Sequence, residues 1–103
     1  MHREPHFLAN LTFMPPYMVG KPPINLSFKA ELDLAVSGMK HMAAIKLEPQ
    51  PLGEHSTPSR IVLLCPEFQT GRLHPGKELA VYSGPQLLAK GVITAVTDAV
   101  LRA

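Results

Sequence analysis

Tryptophan is absent from this chain of 103 residues, and cysteine occurs once. The lone Cys65 excludes an internal disulfide and fits a reducing compartment. Charge is sparse: Asp, Glu, Lys and Arg make up 17% of the residues, with a net charge of +2. The ten basic residues are scattered along the chain, so the charge permits RNA binding without arguing for it. No window approaches a transmembrane span, and the opening MHREPHFLANLTF lacks the continuous apolar stretch of a signal peptide. A soluble, cytoplasmic protein with no membrane partner is the expectation. The Gly-Lys pairs at Gly20 and Gly76 are followed by Pro22 and Glu78 rather than by the Ser or Thr that a phosphate loop needs for magnesium, so this chain alone should bind no GTP.

Proline, in contrast, is abundant, with 11 residues, and hydrophobic residues make up 46%. Each proline inside a helix would remove a hydrogen bond and clash with the preceding turn, so short strands joined by many turns are favoured. The length suits one domain, residues 1–103, with residues 1–5 and 98–103 as flexible ends. Such a chain buries roughly two-thirds of its unfolded surface, enough for a core without disulfides or a structural metal.

The clearest pattern runs over residues 24–37. Ile24, Leu26, Phe28, Ala30, Leu32, Leu34 and Val36 alternate with polar residues, Ala35 being the exception. Strict alternation sends one set of side chains to each side of a pleated strand. The segment is long for a strand, which suggests a bulge or bend near Ala30. Residues 6–13 repeat the pattern with Phe7, Ala9, Leu11 and Phe13. Residues 42–47 read as a strand, although 39–47 is also compatible with about two helical turns. Residues 48–59 are rich in turn formers and read as an exposed loop, and the apolar run RIVLLC at 60–65 reads as a buried strand. Residues 77–82 and 87–96 form a hairpin around Ser83-Gly84-Pro85-Gln86. The tail TDAVLRA adds a short helical turn or frays. Six strands and no long helix give an all-β fold, closed so that few edges remain exposed.

Few residues carry chemistry. His2 and His6 have ligand spacing for a helix, but Pro5 and the chain terminus favour a flexible tail. Cys65 in an apolar run reads as a buried small hydrophobe rather than a nucleophile. Glu31 and Asp33, alternating with Lys29, read as a solvated outer face rather than an acid/base pair. No metal, cofactor or catalytic constellation is therefore expected. The proline-rich loop at 14–23 offers Tyr17, Met18 and Lys21, a mixture of apolar anchor and charge suited to recognition, beside the reading in which these residues close the barrel end. Lys90, next to Gly91, is a candidate phosphate contact set against a solvated lysine.

Residues 71–96, GRLHPGKELAVYSGPQLLAKGVITAV, resemble the closing hairpin of the elongation factor Tu C-terminal domain. Leu79 and Val81 match its first strand and Gly84 its turn, and residues 86–93 align with the final Arg-Thr-Val-Gly-x-Gly-Val-Val stretch. Further back, RIVLLCP resembles the strand that ends in proline, and PYMVGKPPINLSF the loop that leads into a long strand. Gln86 stands where the family has arginine and Ala89 where it has the first of two glycines, while Gly91 keeps the second. The family's Met-Pro-Gly-Asp turn is missing, with STPS near that point. The resemblance implies a six-stranded antiparallel Greek-key barrel without the family's GTPase domain. It also implies a non-catalytic binding module, acting through a protein or RNA partner, with Gln86, Lys90 and Gly91 as candidate contacts beside Tyr17, Met18 and Lys21. An autonomous RNA-binding module with affinity for tRNA-like stems is the second expectation. A small enzyme using Cys65 or a histidine is the third.

Overall fold

In the computed structural model, residues 4–15, 26–34, 39–48 and 56–103 are described. Alternation produces strands where the sequence calls for them: β1 (Phe7–Phe13), β2 (Ser27–Leu34), β3 (Lys40–Leu47), β4 (Thr57–Leu63), β5 (Glu78–Ser83) and β6 (Gln86–Val96). They close into a barrel in the order β1-β4-β3-β2-β5-β6, with every neighbouring pair antiparallel. The meander β2-β3-β4 returns to lie beside β1, which is the Greek-key arrangement. The ambiguous 39–47 region is strand, because its apolar positions Ala43, Ile45 and Leu47 enter the core at period two. Phe7, Leu11, Leu32, Ile45, Ile61, Leu63, Leu79, Val81 and Ile93 fill the interior.

Several boundaries and environments differ from the sequence reading. β4 begins at Thr57, inside the expected loop, because its first inward positions are polar: Thr57 and Ser59 are buried, and Ser59 Oγ donates to the Ala9 carbonyl at 2.8 Å. Pro58 is tolerated there because its side of the strand faces Glu48, just past the end of β3. The bulge anticipated near Ala30 is not in β2, whose register against β3 is unbroken from Ser27 to Asp33. The irregularities lie instead where β6 meets β1 and β5, between Leu8 and Ala9 and between Val81 and Tyr82. They let one 11-residue strand bend along both neighbours.

Cys65 is exposed rather than buried. The strand alternation that would have turned it inward stops at Leu63, and a 3-10 turn begins at Pro66. Asp33 is also misplaced by the simple outer-face reading, since it is only 3% exposed. Its strand neighbour Lys40 sends its ammonium across β2 to the Gly84 carbonyl at 3.0 Å, 4.3 Å above the Tyr82 ring centroid. That long side chain covers the β2 face.

Of the two alternatives for the tail, the helical turn is found. Ala99–Leu101 is a 3-10 turn capped by Asp98, and Leu101 is fully buried beside Leu73. Leu73 N–H donates to the Leu101 carbonyl, Ala103 N–H to the Leu73 carbonyl, and Arg102 Nε to the Val96 carbonyl. Residues 98–103 are thus docked under the barrel. His6 is tied down as well: its Nδ1 accepts the Leu63 N–H at 2.9 Å, and its carbonyl accepts from Thr97 and Asp98. His2 lies outside the described residues.

Candidate binding faces

Two concave outer surfaces follow from the register. The first lies over β2, β3 and β4 and is built of three rungs. In the outermost rung Glu31 faces Met42, whose carbonyl accepts the Leu64 N–H. In the middle rung Lys29 faces Ala44, which faces Val62. In the third, Ser27 faces Lys46, which faces Arg60. The face therefore grades from Met42 and Leu64, with Glu31 beside them, to a basic end. Met42 and Leu64 are 44% and 56% exposed. At the basic end a concavity of about 420 Å³ is lined by Lys29, Lys46 and Arg60, with Phe28, Ala44 and Val62 as apolar lining. Glu4 borders it, and Glu48 takes the Arg60 Nε in an exposed ion pair at 2.9 Å.

The second surface lies over β5, β6 and β1, a groove of about 850 Å³. Here Asn10 faces Val92 and Val92 faces Glu78, while Thr12 faces Lys90 and Lys90 faces Ala80. One lysine and one carboxylate stand among neutral side chains. Lys90 and Gly91 both line this groove, whereas Gln86 sits exposed at the start of β6, opposite Ser83. Gly91 has a packing role: a Cβ there would meet the Asn10 carbonyl oxygen and a Leu11 methyl at 2.6 Å each. Only glycine lets β6 approach β1 so closely. Gly84, with φ of 59°, and Pro85 form the two-residue turn between the hairpin strands. Tyr17, Met18 and Lys21 lie outside the described residues.

Lys29, Lys46 and Arg60 were not singled out from the sequence, where they are far apart. The signal that finds them is strand phase: each occupies the outward parity of a strand whose alternate residues are buried, and register then aligns them. Among the described residues no group of three or more His, Cys, Asp or Glu gathers, and no helix is long and apolar enough to cross a membrane. No family model, curated protein or solved structure matches the chain.

Proposed function

We propose that this chain is a non-catalytic binding module, a barrel of the elongation factor Tu C-terminal type, that presents the outer face of β2, β3 and β4 to a protein or RNA partner in the cytoplasm. The observation that carries this reading is the graded face, in which exposed Met42 and Leu64 continue into Lys29, Lys46 and Arg60 on a rigid sheet. Methionine and aromatic side chains suit the centre of a macromolecular contact, and arginine suits both protein and phosphate recognition. The Tu-type assignment is supported by the six-strand antiparallel closure, the Gly84 turn and the close approach at Gly91.

Affinity capture from source lysate, with and without ribonuclease, tests the reading. Partners retained by the native chain should be lost when Met42→Glu and Leu64→Glu are combined, while Arg72→Ser, a surface change elsewhere, keeps them. Identical capture by the double variant and the native chain would sink the proposal.

A further inference from the structure

We infer that the basic end of this face binds a single strand of nucleic acid through its phosphodiester backbone. The inference rests on the reading of β2, β3 and β4 as the binding face and goes further by naming the occupant. Lys46 and Arg60 stand directly opposite each other on adjacent strands. Like charges in that position oppose folding, because their side chains are held about 5 Å apart at the Cβ atoms. The fold relieves the pair only in part. Glu48 takes Arg60 Nε, while Lys46 and Lys29 have no ion pair or hydrogen bond among the described residues. An anion lying between Lys46 and Arg60 would relieve the rest of this repulsion.

The lining indicates what kind of anion. Ala44 and Val62 supply apolar surface beside the cations, which an isolated inorganic anion would not use and a nucleobase would, while Phe28 packs against the core below. Lys29 lies diagonal to Lys46, about 7 Å away across the pleat, so the cations are spaced for successive phosphates of one strand. A duplex keeps its bases stacked inside and reaches such a surface only through its backbone, so the apolar lining would go unused. Glu4 and Glu48 at the border hold the affinity down and favour a weak, salt-sensitive contact.

Fluorescence anisotropy with labelled oligouridine and oligothymidine of about ten nucleotides, and with a duplex of the same length, tests the site. With three phosphate contacts, affinity for the single strands should fall about 20-fold between about 50 and 200 mM salt. In the Lys46→Ser/Arg60→Ser double variant, one contact remains and the same change in salt should cost only about threefold. Arg72→Ser should leave the native salt slope unchanged, and thermal melting checks that every variant is folded. Preference for oligouridine assigns RNA, and equal binding assigns either strand. The inference is overturned by no binding at the lowest salt, by a salt slope that ignores the double substitution, or by duplex binding as tight as single-strand binding. Failure here, with ribonuclease-treated capture still dependent on Met42 and Leu64, removes the nucleic acid and leaves the protein-binding reading in place.

Discussion

The outer face of β2, β3 and β4 and that of β5, β6 and β1 rest on one continuous core, yet they differ in what they do with charge. On the second, Lys90 is flanked by Thr12 and Ala80, neutral neighbours that leave a single cation comfortable in water. On the first, Lys46 and Arg60 confront each other and Lys29 stands diagonal to Lys46. Both faces alternate correctly with the interior, so burial cannot account for the difference. The lesson is that interior residues specify the barrel, whereas the choice of outward residues is open, and an outward choice that opposes folding is a sign of binding.

The comparison can be broken most forcefully from below. Ile45 lies under the first face and Ile93 under the second, both fully buried. Ile45→Ala and Ile93→Ala should each cost about 2–5 kcal/mol in a denaturant titration, with one transition in both cases. A large inequality, or two transitions, would mean that the faces rest on separately cooperative halves. Next come the seams with β1. His6→Ala would leave the part-buried Leu63 N–H without its side-chain acceptor, and Gly91→Ala would force a methyl against the Asn10 carbonyl. Each should lower stability by about 1–3 kcal/mol in thermal melts. The smallest effect sharpens the comparison best. Lys46→Thr should stabilise by up to about 1 kcal/mol through removal of a like-charge pair. Lys90→Thr should stay within about 0.5 kcal/mol of the native chain. Destabilisation by Lys46→Thr would show that the lysine serves the fold and would undercut the binding argument.

Most of the barrel was legible because period-two alternation is a direct imprint of a half-buried strand. Residues 27–34 and 7–13 show this, and the hairpin turn at Gly84 tied β5 to β6. What failed did so for identifiable reasons. Thr57 and Ser59 are interior but polar, so an apolar run could not mark the start of β4. Cys65 and Asp33 depended on where β4 stops and where Lys40 reaches, neither of which is a local property. Leu73 and Leu101 are isolated apolar residues whose docking becomes visible only when the two segments meet. The basic end of the first face was hidden because its residues come from three strands, and no single stretch of sequence contains the cluster.

The pairing of β1 with β6 has a mechanical consequence. Because the two strands are antiparallel neighbours, His6 and Thr97 emerge side by side, joined by the Thr97 N–H to the His6 carbonyl. Tension applied at these two points pulls along the inter-strand hydrogen bonds, which lie perpendicular to the strands, and loads them one pair at a time. The barrel therefore opens like a zipper under traction, from the His6–Thr97 seam toward Phe13 and Ala89. The clip formed by Leu73, Leu101 and Arg102 is the first element to take strain when the pull comes from beyond Ala103. As a tether under load such a domain would yield early, while remaining stiff to compression across its filled interior.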